Sequence, residues 1–212
     1  MRRQVKPGER LFPQPEHRLP IVGLQSFAGT LEVAEQNLSR EIGTRALSGS
    51  YNLLRFHLRS SSLVCVELLR QLNGSPQYCL KDRVNFEAPE EIEPSQQFQK
   101  EDAALVIHEM LQQIFGIFRR NFSKTGWNET VVENLLSELY VQMDRLETIL
   151  EESTEDENFW ENMTVVHLKR YYLRLVRYLK AKEYSRCAWT VVQVEILRNF
   201  SFLDSLTNYL LN

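Results

Sequence analysis

Three kinds of residue in this chain carry chemistry at a spacing worth weighing: thiols, imidazoles, and asparagines in Asn-x-Ser/Thr tripeptides. The thiols are Cys65, Cys79 and Cys187. Three is odd, so they make one pair and a spare thiol, or stay unpaired. Cys65 lies in the apolar run Leu63-Val-Cys-Val66, where burial raises a thiol's pKa and favours a structural role over a nucleophilic one. The imidazoles, His17, His57, His108 and His167, are scattered with no metal-ligand spacing, and a helical His such as His108 reads as a surface or boundary residue. No His-x-x-x-His pair, Cys-x-x-Cys or Gly-rich phosphate loop occurs. The acidic run 151–157 reads as a solvated loop. No catalytic residue, metal or cofactor is expected. The six sequons begin at Asn37, Asn73, Asn121, Asn128, Asn162 and Asn199. Any one arises easily by chance, but six together point to the secretory route and to N-glycosylation.

The elements that must position these residues are helical. Residues 187–206 place Trp189, Val192, Ile196, Phe200, Leu203 and Leu206 at steps of three and four, with Ala188, Val191, Val194 and Leu197 widening the face. So broad an apolar face predicts a central helix touching several neighbours, with one polar edge at Gln193, Glu195, Arg198 and Ser201. Tyr51–Leu72 is a second strong helix, with Leu54, Leu58, Leu63, Val66, Leu69 and Leu72 inward, ended by Asn73-Gly-Ser-Pro76. Helices follow over Lys100–Arg120, from a cap at Asn128 through Leu150, and over Thr164–Lys182. The chain is therefore all-α, a five-helix bundle. Residues 73–98 show no regular period and form a long first crossover, which implies an up-up-down-down order. The short link 183–185 makes the last two helices antiparallel. Residues 49–212 form this domain. Residues 1–48, broken by Pro7, Pro13, Pro15 and Pro20, are expected to be a disordered extension. Their longest apolar run, Leu19–Leu24, is shorter than a signal h-region.

Charge separates along the chain. Between Asn128 and Glu161 eleven acidic residues face one basic, and between His167 and Arg186 seven Lys or Arg face one Glu. The net charge of −3 gives no pull toward nucleic acid. The basic helix, with Lys169-Arg170-Tyr171-Tyr172, keeps its tyrosines on the apolar face, so its cations read as a solvated or partner-facing surface. No apolar run is long enough to enter and cross a membrane.

Several motifs are collinear over residues 49–212. They are Ser50-Tyr-Asn-Leu-Leu54, Cys79-Leu-Lys-Asp-Arg83, Phe98-Gln-Lys-Glu-Asp-Ala-Ala104, Ile107-His-Glu-Met-Leu-Gln-Gln-Ile-Phe115, Thr125-Gly-Trp-Asn-Glu-Thr130, Tyr178-Leu-Lys-Ala-Lys-Glu-Tyr184, Cys187-Ala-Trp189 and Leu197-Arg-Asn-Phe200. Together they resemble the type I interferons. The resemblance implies a long-chain cytokine bundle and a secreted, antiviral protein, a monomer or a weak dimer, that joins the two chains of the type I interferon receptor and triggers JAK-STAT signalling. It implies a Cys79–Cys187 disulfide with Cys65 free; such a bridge closes a loop of roughly 100 residues, which chain-entropy models value at about 4.7 kcal/mol. For the high-affinity receptor chain it implies Leu80, Arg83, Val194, Leu197, Arg198 and Ser201. For the low-affinity chain it implies His108, Glu109, Gln112, Phe115, Val131, Tyr140 and Lys169. This chain departs from relatives at Gln193, where they usually carry Arg, and at Gly116 and Leu136. Asn128 matches a glycosylated family position; Asn73, Asn121, Asn162 and Asn199 are further candidates, and a sugar on Asn199 would interfere with the high-affinity face. Ala46-Leu-Ser48 looks like the end of a secretory signal. The competing readings are a non-exported or decoy form of the same fold and a basic-helix polyanion binder.

Overall fold

The computed structural model describes residues 49–72, 74–89, 99–153 and 163–211. The expectations for residues 1–48, including the disordered extension, fall outside the described residues. Among the described residues every regular element is a helix: α1 covers 49–71, α2 Lys100–Phe118, α3 Glu129–Ser153, α4 Met163–Ala181 and α5 Arg186–Thr207. Two 3-10 segments, η1 (Pro76–Asp82) and η2 (Tyr209–Leu211), complete the described fold. η1 occupies part of the crossover that periodicity alone reads as irregular.

Local chemistry sets the boundaries. The Asn128 side-chain oxygen accepts from Thr130 N at 3.0 Å and opens α3. Ser185 Oγ accepts from Ala188 N at 3.3 Å and opens α5. Between α4 and α5, Glu183 and Tyr184 take φ of 49° and 54°, a left-handed conformation that costs a non-glycine residue about 1–2 kcal/mol. Tyr184 N returns to Leu179 O at 2.8 Å, and Lys124 Nζ reaches Glu183 O at 3.0 Å, which offsets that strain.

Named contacts fix the helix directions. Arg59 pairs with Asp204 at 3.2 Å while Gln193 Nε2 donates to Leu69 O and Leu72 O, so α1 and α5 are antiparallel. Lys100 Nζ lies 5.4 Å from the Tyr51 ring, bringing the starts of α1 and α2 together. Phe118, ending α2, meets Trp189, near the start of α5, at 5.8 Å. Trp127, just before α3, stacks on Phe118, so α3 turns back along α2. Tyr171 and Tyr172 bond Glu195 and Asn199, so α4 and α5 are antiparallel. Helices α1, α2, α3 and α5 thus run up-up-down-down, with α4 running up between α3 and α5.

Both α2 and α5 are central. In α2 eleven residues are buried, including Ala103 through Ile107 in succession, because it contacts α3, α4 and α5 at once. Trp189, with no exposed surface, anchors an aromatic nest with Phe118 and Trp127, and its indole nitrogen donates to Asn121 O at 2.9 Å.

Three packing expectations need correction. Leu63 is 72% exposed; five residues past Leu58 it has rotated about 140° off the inward stripe. Ser62 and Cys65 turn inward instead, and both bond Gln142: Ser62 Oγ donates to Oε1 at 3.3 Å and Gln142 Nε2 donates to Sγ at 3.4 Å. Gln193, placed on the polar edge of α5 by its type, is buried and holds the C-terminal carbonyls of α1 at 2.6 and 2.7 Å. Val194, counted with the apolar face, is 46% exposed.

Candidate functional site

Cys79 and Cys187 are bridged. The bridge fastens η1 to the first turn of α5, and the α4 side of the crossover is tied just as firmly. Lys182 Nζ pairs with Asp82 Oδ1 at 2.9 Å, Tyr178 OH donates to Asp82 O at 2.7 Å, and Arg174 donates to Phe86 O and Glu87 O. Leu80 and Arg83 therefore stand between two fixed points beside the entrance to α5. Leu80 is 66% exposed, and Arg83 is exposed. Along α5, Val194, Arg198 and Ser201 form an exposed edge at steps of four and three, with Leu197 half-buried beside it. Two apolar side chains escaped the sequence reading: Tyr78, 82% exposed, and Val84 flank Leu80 in the same segment. Their one sequence signal is an apolar type in a stretch without helical period next to a cysteine.

The charged member of this edge is held from beneath. Tyr171 OH donates to Glu195 Oε1 at 2.5 Å, and the Arg198 guanidinium lies 3.9 Å from that oxygen and 5.4 Å from the Phe202 ring centre. Asn199 completes the network: its Nδ2 donates to Tyr171 OH at 2.8 Å and Glu195 O at 2.9 Å, and its Oδ1 accepts from Tyr172 OH at 2.6 Å. Burial pushes both tyrosine hydroxyls far above their ordinary pKa, so they remain neutral donors.

The second set of expected residues lies on α2, α3 and α4. Gln112 and Tyr140 are exposed, and the Lys169 amine lies 3.5 Å from Glu109. Glu109 departs from expectation. It is buried, and its carboxylate is taken up by Lys169 and by Gln113 Nε2 at 2.8 Å, so it is a tie between α2 and α4 rather than a free surface anion. His108 is half-buried and contacts Gln112 at 3.5 Å. Burial lowers its pKa, against the opposing charges of Glu147 and Glu109. Phe115 and Val131 are partly buried and pack on the core. A Cβ at Gly116 would meet nothing within 4 Å, so the fold does not require glycine there; Leu136 packs on the core.

Cys65 has no exposed surface, and burial pushes its thiol up to about 12, which suits a structural thiol. In the basic helix, Lys169, Lys182 and Arg174 serve internal bonds rather than an open cationic strip. Among the described residues no group of three or more His, Cys, Asp or Glu could hold a metal ion, and no helix is long and apolar enough to cross a membrane. Of the sequons, Asn121 and Asn128 are exposed. Asn199 is fully buried with both amide atoms engaged, so a sugar has no room there in this fold. Asn37, Asn73 and Asn162 lie outside the described residues.

Residues 54–210 match the family model for the interferon alpha/beta domain. The chain belongs to the type I interferon family. Among curated relatives it is similar to interferon beta of Felis catus, 67% identical over 170 residues, covering 80% of this chain and 91% of the relative. It is 63% identical to interferon beta of Homo sapiens over 171 residues, with the same coverage, and 47% identical to that of Mus musculus, covering 77% and 88%. Among solved structures, zebrafish interferon 1 matches with a TM-score of 0.61 at 18% identity, covering 72% of this chain and 95% of that one. Zebrafish interferon 2 matches with a TM-score of 0.57 at 24% identity, covering 71% and 96%. At these identities the two structures speak for the fold alone. As a type I interferon, the chain is a cytokine and not an enzyme.

Proposed function

We propose that this interferon is a secreted antiviral cytokine that joins the two chains of the type I interferon receptor and so activates JAK-STAT signalling. The observation that carries this reading is the exposed Leu80–Arg83 segment, clamped by the Cys79–Cys187 bridge at the start of α5, the helix whose exposed edge runs on through Val194, Arg198 and Ser201. Exposed aliphatic side chains next to exposed arginines, on backbone already held in place, suit a binding hot spot with little ordering cost. The high-affinity chain is assigned to Leu80, Arg83, Val194, Leu197, Arg198 and Ser201. The low-affinity chain is assigned to the α2–α3–α4 face through His108, Gln112, Phe115, Val131, Tyr140 and Lys169, with Glu109 supporting Lys169 from beneath. Export is supported by the disulfide, a bond that persists in oxidising compartments.

The test is surface binding of the purified chain to each receptor ectodomain, together with STAT phosphorylation in responsive cells. Arg83→Ala and Arg198→Ala are each expected to weaken the high-affinity ectodomain by roughly 5–30-fold, about 1–2 kcal/mol, with helicity unchanged. Unchanged affinity in both variants would refute the site.

A further inference from the structure

We propose that Tyr171 is a positioning residue for receptor binding: its hydroxyl holds the Glu195 carboxylate off Arg198 and so leaves the guanidinium free for the high-affinity receptor chain. The inference rests on the receptor site proposed above. Tyr171 has no exposed surface, so its part in binding is indirect. The hydrogen bonds beneath α5 run in one direction. Tyr172 OH donates to Asn199 Oδ1, Asn199 Nδ2 donates to Tyr171 OH, and Tyr171 OH donates to Glu195 Oε1 at 2.5 Å. A phenol has one hydrogen to give. With Asn199 Nδ2 pointed at the Tyr171 oxygen, that hydrogen goes to the carboxylate.

Glu195 and Arg198 stand three residues apart on α5, a spacing at which opposite charges ordinarily meet. Here the pair stays open. Arg198 Nη1 lies 3.9 Å from Glu195 Oε1, outside hydrogen-bond distance, and the guanidinium rests over the Phe202 ring with its side chain 54% exposed. The Glu195 side chain is 12% exposed, so water satisfies little of the carboxylate and the tyrosine does the rest. Without the hydroxyl, the carboxylate recruits Arg198 through a charge-assisted bond. That bond draws the guanidinium inward and occupies donors the receptor would otherwise meet. The Tyr171 ring also lies 5.9 Å from the Arg174 guanidinium, which holds Phe86 O and Glu87 O. Phenylalanine keeps that contact and fills the same space, so Tyr171→Phe removes the hydroxyl alone.

The experiment measures binding of the full, disulfide-bonded chain to each receptor ectodomain for Tyr171→Phe, Glu195→Gln and Arg198→Ala, singly and in pairs, with melting recorded alongside. Arg198→Ala is read first. Unchanged affinity for the high-affinity ectodomain removes Arg198 from the site, and the role of Tyr171 falls with it. Given a loss there, Tyr171→Phe should weaken the same ectodomain roughly 3–10-fold and leave the low-affinity ectodomain within about 2-fold. Glu195→Gln keeps an acceptor for Tyr171 and removes the competing charge. In that background, adding Tyr171→Phe should cost no more than about 2-fold. In the Arg198→Ala background it should likewise add nothing. A merely structural tyrosine gives another pattern, a binding loss that persists in both backgrounds or falls equally on both ectodomains. That pattern, or a Tyr171→Phe protein that binds like the parent while Arg198→Ala does not, would overturn the proposal.

Discussion

Replacing Asn199 by alanine tests the buried network beneath the α5 edge. The parent residue engages both amide atoms, accepting from Tyr172 OH at 2.6 Å and donating to Tyr171 OH and Glu195 O. In Asn199→Ala the Tyr172 hydroxyl, wholly buried, loses its acceptor, whereas Tyr171 keeps Glu195. One buried hydroxyl left without a partner costs about 1–3 kcal/mol, and the void left by the amide adds about 1 kcal/mol. The expected loss is about 2–4 kcal/mol, which for a domain of this size lowers Tm by roughly 5–15 °C. The assay is thermal melting followed by far-ultraviolet circular dichroism, repeated in a cycle with Tyr172→Phe. Because that second change removes the orphaned hydroxyl, the double variant should be less damaged than the sum of the singles by about 0.5–3 kcal/mol. An Asn199→Ala protein melting within about 2 °C of the parent, or strictly additive losses, would refute the network.

Further outcomes follow from the same geometry. Cys187→Ser opens a bridge spanning 108 residues and should cost about 2–5 kcal/mol; equal melting of the oxidised parent and the variant would refute that contribution. Cys65, with its thiol pushed up to about 12, holds roughly 1000-fold less thiolate at pH 8 than an ordinary thiol. Its alkylation should be slow in the folded protein and fast in denaturant; equal rates would place it at the surface. Burial lowers the His108 pKa, so the folded state binds fewer protons there than the unfolded state. Its contribution is fully present above the ordinary value near 6.5, is lost as pH falls through that value toward the lowered one, and is constant below it. Melting between pH 7.5 and 5 should decline less in His108→Gln than in the parent, and parallel declines would refute this.

Much of the bundle was legible because helical packing repeats in the sequence. The steps through Trp189, Val192, Ile196, Phe200 and Leu203 gave α5 its inward face, and all five are buried. Asn128 as a cap was legible because capping is local: the donor lies two residues on. The Cys79–Cys187 pairing was not derivable from three thiols and came from resemblance. The exposed edge of α5 at Arg198 and Ser201 was legible from periodicity, whereas Leu80 was reached through resemblance and Tyr78 and Val84 beside it were missed, since no local pattern distinguishes an exposed apolar residue in a crossover from a buried one.

The sequence by itself determined what depends on neighbours three or four residues away: five helices, the cap at Asn128 and most inward faces, and a family membership written in collinear motifs. Tertiary structure decided everything that depends on a group far along the chain. Gln193 looks like a surface residue until Leu69 and Leu72 bring their carbonyls to it. Glu109 looks like a free anion until α4 presents Lys169. Asn121 and Asn199 carry the same tripeptide form, yet one is exposed and the other is enclosed by Tyr171 and Tyr172. A polar side chain is at home in water or against a matching partner, and only the folded chain determines which of the two it meets.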